Sequence, residues 1–249
     1  MSSIIKLSRE EYFGFFREDF QPLEIILKLQ TPVVLGFPFI HFDGLIAHLL
    51  ARLFLGPEYY VLPSKNPMPI IANLPMPIAN IVFQNKQLFR ASAGQFNLNP
   101  EEFAQLTTIY KRFEETQAHT IQTKKKNIRI NAGIYKNYAF QIPYLPATEC
   151  RFYCVGHRKT LTKLLEHLPG LGKKVLYGYG LVGKIIIKKT KEDYSFVKDG
   201  FATRSLPLDL LEKTNDFVNL TWCPPYWDKS NISPCAPPGA KVIMKQQYR

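Results

Sequence analysis

The chain has 249 residues, 46% of them hydrophobic, and a formal net charge of +12. That is enough apolar material for a packed core, in one large domain or two small ones, and it excludes a globally disordered chain. No apolar run approaches the roughly 18 residues of a membrane span, and the residues after Met1 lack the core of a signal peptide, so the sequence predicts a soluble, cytoplasmic protein that binds no membrane.

Along the chain, residues 23–29 read as a strand closed off by Pro32. Asp43 reads as the N-cap of an apolar helix over 44–54, ended by Gly56 and Pro57. Residues 57–80 hold six prolines and predict an irregular stretch with one short strand at 69–72. A strand follows at 87–92. Asn99, Pro100, Glu101 and Glu102 form a helix-start signal, yet 107–113 turns β-rich, so this segment stays open between helix and strand. Polar residues 115–127 read as a hairpin or loop, and 128–142 as strand with a bend at Gly133. Then come a strand at 148–155, a helix at 157–168, a glycine-rich loop and a strand at 180–188. The last 50 residues are Pro-rich and read as a wrap around the core. This order predicts an α+β fold of ferredoxin-like or RRM-like β-α-β units with antiparallel sheets. It divides into an N-terminal half (1–100), connecting strands with a basic hairpin (101–147), and a C-terminal half with the glycine loop and tail (148–249), fused over a common core.

Residues 170–180 are the most informative stretch. They hold Gly170, Gly172, Gly178 and Gly180, with Lys173, Lys174, Tyr177 and Tyr179 between them. Glycine lets backbone amides approach a ligand, successive amides make an anion-binding concavity, and tyrosine faces accept stacked bases. The pattern fits nucleic acid. It does not fit Walker A, because Lys174 follows Gly172 and Lys173 where Ser or Thr is required. It does not fit the dinucleotide fingerprint, because the order is helix, loop, strand rather than strand, loop, helix. The alternative is that Gly170 and Gly172 end the helix and the later glycines make a turn. Charge favours the first reading: residues 101–199 carry 18 Lys and Arg against 9 Asp and Glu, an excess of 9. An acidic protein partner fits the same charge.

Cys150, Cys154, Cys223 and Cys235 do not have the spacing of ordinary zinc knuckles. Cys150 and Cys154 share one face of a strand and read as core, and no metal or cofactor is expected.

Residues 168–183 resemble the C-terminal glycine-rich loop of the CRISPR repeat-associated RAMP superfamily. Residues 42–50 resemble the first helix of its handle-binding subunits. Residues 133–138, the run from Arg204 to Pro207 and the tail with Tyr226, Trp227 and Cys235 look most like the type IV subunit that caps the 5′ end of the guide; type III relatives share the skeleton. The resemblance implies a subunit that binds the 5′ handle of the CRISPR RNA and packs against the first subunit of the guide-coating filament. In some members it also contacts a large or nuclease subunit, or target nucleic acid. It implies RNA contacts at the glycine-loop residues named above. A family hairpin over the guide maps onto Lys111, Arg112, Lys124, Lys125, Lys126 and Arg129. Tyr135, Lys136, Arg90 and His41 complete the expected RNA-binding set.

Some superfamily members cleave repeat RNA without metal, by acid–base chemistry at a histidine. His41 lies nearest the corresponding position. His48 reads as a packed helix residue, His157 as a cap or surface residue and His119 as a loop residue, and no His-Tyr-Lys set is visible. The sequence therefore predicts a non-catalytic antiviral ribonucleoprotein subunit. A repeat-specific endoribonuclease acting through His41 is the alternative, and a scaffold docking an acidic protein is a third reading.

Overall fold

The computed structural model of the chain describes residues 19–36, 39–61, 75–98, 104–114 and 131–248. Strand β1 (Gln21–Leu29) leads to helix α1 (Phe42–Leu55). A hairpin of β2 (Asn80–Phe83) and β3 (Lys86–Phe89) and a short β4 (Gln95–Asn97) follow. Next come a long hairpin of β5 (Gln105–Lys111) and β6 (Tyr138–Tyr144), then β7 (Glu149–Gly156), helix α2 (Arg158–Leu165) and β8 (Val182–Lys189). The fold is mixed α+β, and its strand pairings are antiparallel.

The main sheet has the order β4-β7-β1-β8. Leu23, Ile25 and Leu27 of β1 alternate onto one face and are almost completely buried. Each contributes roughly 1.5–3 kcal/mol of burial. They pack on Phe42, Ile46, Leu49 and Leu50 of α1 and on Leu161, Leu164 and Leu165 of α2. Those spacings put both helices' apolar stripes on this face. Cys150 and Cys154 lie in the same core, as expected.

α1 does not start as predicted. His41 is its N-cap residue and makes no capping bond. Asp43 sits in the first turn, fully buried, and its carboxylate accepts from Tyr226 and Arg204. α2 does use its predicted cap: His157 Nδ1 accepts from the Thr160 amide at 3.3 Å.

The other sheet face carries ion pairs. Glu149 binds both Lys28 and Arg151, Arg151 reaches Glu24 at 3.2 Å, and the Lys198 ammonium lies 4.6 Å from the Tyr153 ring. This is not the aromatic platform on which RNA-recognition motifs stack bases.

The tail does more than wrap the core. It adds β9 (Val197–Lys198), β10 (Phe201–Ala202), β11 (Leu206–Pro207), β12 (Leu211–Thr214), β13 (Val218–Thr221), β14 (Ile232–Ala236) and β15 (Val242–Met244). With β2 and β3 these enclose a second core around Phe83, Leu88, Leu206, Leu210, Trp222 and Cys235. Among the described residues, no helix is long and apolar enough to cross a membrane.

Candidate nucleic-acid interface

The glycine loop leaves α2 and doubles back into β8. Its neck is the Gly170–Leu181 bridge, and its inner side is pinned to the segment after β1. The Lys173 amide donates to Val34 O at 2.7 Å, Gly180 to Pro32 O at 2.7 Å, and Leu171 to Gly180 O at 2.8 Å. These contacts demand glycine. A Cβ on Gly172 (φ +88) would sit 2.4 Å from Val34 O, and one on Gly180 (φ +65) 2.0 Å from Leu171 O. Close packing of the loop on its own protein thus accounts for both, where the sequence suggested approach to a ligand.

The tip is what faces outward. Lys174 takes a left-handed conformation and caps a 3-10 turn at Val175–Tyr177. Leu176 is fully exposed and Tyr177 is 59% exposed. The Lys174 ammonium lies 5.2 Å from the Tyr177 ring centre and 6.0 Å from that of Phe140 on β6. Tyr179 packs near Tyr144 at 6.3 Å. The loop therefore leans on the β5–β6 hairpin. In that hairpin Lys111 pairs with Tyr138 and Ile109 with Phe140, which puts Lys111, Tyr138 and Phe140 on one face. Lys111 Nζ lies 5.9 Å from the Tyr138 ring. Lys111, Tyr138, Phe140, Lys174 and Tyr177 thus form one exposed strip of cations and rings. Such a strip offers phosphates a positive field and bases a stacking face. Tyr110 and Leu106 are exposed on the hairpin's opposite face, with Arg112 5.6 Å from the Tyr110 ring.

Of the residues expected to bind RNA, the loop set and Lys111 come together here. Arg112 follows β5, and Tyr135 packs on Phe113 at 5.0 Å, next to Lys136 at the entry to β6. Arg90 is engaged elsewhere: it binds Asp193 at 2.6 Å, lies over Phe196, and lines a separate cleft. Lys124, Lys125, Lys126, Arg129 and His119 lie outside the described residues. Phe140, Tyr138 and Leu176 escaped the sequence reading, because aromatic and aliphatic residues in strands and turns read first as core. The alternation of β6 was the available signal, since it places Tyr138 and Phe140 on one side.

On the other flank of the loop is a cleft of about 550 Å³, lined by α1, Leu171–Lys173 and the tail turn with Pro224, Pro225, Tyr226 and Trp227. His41 lies in its wall, 7% exposed, stacked on Tyr226 at 4.2 Å. Ser205 Oγ lies 3.4 Å from His41 Nε2. Burial, and then the Arg204 guanidinium, push the imidazole well below its ordinary pKa, so it is neutral at pH 7. Behind it Arg204 is completely buried. It donates to the carbonyls of Phe89, Ala91 and Trp222, to Tyr226 Oη at 2.7 Å and to Asp43 at 3.3 Å. Tyr226 in turn donates to Asp43 at 2.7 Å. Burial pushes the Tyr226 phenol well up, so it stays protonated.

No group of three His, Cys, Asp or Glu residues is placed to hold a metal among the described residues. Burial raises all four thiols, Cys223 to about 11.

Among curated proteins, none matches the chain. Among the solved structures that contain similar chains are two of type III CRISPR complexes. One is the cryo-EM structure of the Type III-B Cmr-beta bound to cognate target RNA: 13% identity, 74% of this chain and 69% of that one, TM-score 0.38. The other is the Csm3-Csm4 subcomplex in the type III-A CRISPR-Cas interference complex: 12% identity, 90% of this chain and 93% of that one, TM-score 0.40. The sequence profile of CRISPR type IV associated protein Csf3 matches residues 80–238, more than half of the chain. That span takes in the β5–β6 hairpin, the glycine loop and most of the second core; the chain belongs to the Csf3 family of CRISPR type IV associated proteins.

Proposed function

We propose that this chain is a non-catalytic RNA-binding subunit of a CRISPR ribonucleoprotein effector. It holds the 5′ handle of the CRISPR RNA and caps the guide-coating filament, in the cytoplasm, in defence against viruses and plasmids. The observation that carries this reading is the exposed strip of Lys111, Tyr138, Phe140, Lys174 and Tyr177, where two separate elements present cations and rings together. We read the antiparallel main sheet, with both helices on one face, as a ferredoxin-like unit, and its order β4-β7-β1-β8 supports that reading. The type IV family match supports the CRISPR setting.

The test is binding of single-stranded RNA to the purified chain over a salt series. The expected affinity falls steeply as salt rises, by about 0.7 in log–log slope per phosphate contacted. Binding that ignores salt, or no binding, would refute the proposal.

The endoribonuclease reading keeps one point in its favour: His41 and Lys173 line the same cleft. Against it, His41 is buried and the Tyr226 hydroxyl is held by Asp43. Incubation with labelled repeat RNA in EDTA decides it. Intact RNA is the expected result, and a discrete product that disappears in His41→Ala would establish the nuclease.

A further inference from the structure

We infer that the cleft beside the glycine loop holds one unstacked RNA base, a reading that rests on the RNA-binding role proposed above. The two lysines of the loop serve different sides. Lys174 leans over Phe140 and Tyr177, on the strip. The Lys173 side chain runs over Gly36, where a Cβ would lie 1.9 Å from Lys173 Cε, and it lines the cleft. Through these two adjacent lysines the loop borders both the strip and the cleft, so an RNA strand held on the strip has the cleft within one residue of the loop.

The cleft's chemistry selects a flat, neutral guest. Its volume lies in the range of small-ligand sites, about 300–1,000 Å³. Its walls are carbon from Leu45, Ala47, Pro224, Pro225 and Trp227. The charges behind it are closed on each other, Arg204 with Asp43, and His41 is neutral. Lys173 is thus the cation that lines the cleft, and a phosphate has its counter-charge there rather than within. Trp227 is 52% exposed and lines this wall, an indole available for stacking. The wall is also built in advance. Arg204 holds Trp222 O, Asn231 donates to the carbonyls of Cys223 and Pro225 at 3.2 Å, and Tyr226 is tied to Asp43. A preordered wall lowers the entropy cost of binding a base.

The experiment uses the intact chain and one mixed-sequence RNA carrying 2-aminopurine at successive positions, with a parallel series of abasic substitutions. One position is expected to change fluorescence far more than the others. An abasic site there is expected to weaken binding about tenfold. Trp227→Ala, at an exposed residue, and Ala47→Phe, which fills the cleft, are expected to abolish that one signal while leaving the salt slope unchanged. Salt-dependent binding with a flat scan overturns the cleft assignment alone, and so does a signal untouched by both variants. A flat scan is also what a cleft built for a partner protein's side chain gives. Absence of salt-dependent binding takes down both this inference and the reading beneath it.

Discussion

Arg204 and Lys174 are both cations set among aromatic rings, and they do opposite things. Arg204 is completely buried, and its terminal nitrogens meet three carbonyls, a phenol and a carboxylate, all from the protein itself. Lys174 has ring faces beside it, at 5.2 and 6.0 Å, on an exposed loop. The difference teaches where a basic residue is available to a polyanion. Where the fold supplies the acceptors, the cation becomes an internal clamp; where it supplies only π-faces, the charge remains for an outside partner.

The largest expected effect would break the comparison at its buried end. Arg204→Met strands the Asp43 carboxylate and three carbonyls, and is expected to cost about 3–5 kcal/mol in urea unfolding. A loss near zero would mean the clamp is not what joins α1 to the tail. At the exposed end, Lys173→Ala with Lys174→Ala is expected to weaken RNA binding on the order of tenfold to a hundredfold, and to reduce the salt slope by about 1.4. Its thermal midpoint should stay within the effect of about 0.5 kcal/mol typical of surface changes. Equal loss of stability in both variants would erase the distinction.

The glycines sharpen it. Gly172→Ala places a Cβ against Val34 O and is expected to destabilise by about 1–3 kcal/mol, whereas Gly178→Ala meets open space and pays only for its positive φ, about 1 kcal/mol. Phe140→Ala should lower RNA affinity about tenfold with stability unchanged, as removal of one stacking face does.

The smallest effect is on pH. His41 is held well below its ordinary pKa in the folded chain, while the unfolded chain protonates it near 6.5. Above that value both states are neutral and it contributes nothing. As pH falls below 6.5 the unfolded state takes up the proton first, so stability declines toward acid until the folded pKa is reached. His41→Gln is expected to flatten this decline, read as unfolding free energy between pH 7 and 5; His48, shifted the same way, keeps a residual slope.

Much of the main sheet was legible in the sequence, because β1, β7, β8 and the two helices follow local periodicities and end signals. His157 even caps as read. The second core was not, since its strands run to two to five residues and several, such as β11 and β12, pair with partners far along the chain. Asp43 was misread for a related reason: a capping aspartate and a clamped one look alike until Arg204, 161 residues away, comes into view. At the interface, the glycine loop announced itself through composition. Two of its glycines proved to serve the loop's own packing, and the rings of β6 came to the surface because the hairpin projects one face beside the loop.

β1 also constrains how the molecule comes into being on the ribosome. Ile25 lies between Phe152 and Ile187, so β1 has neighbours made only after most of the chain has been synthesised. Until then its apolar side chains and open edges must be kept from other chains, and closure of the sheet waits on contacts of high sequence separation, a slow step for which nascent-chain chaperones are the natural safeguard.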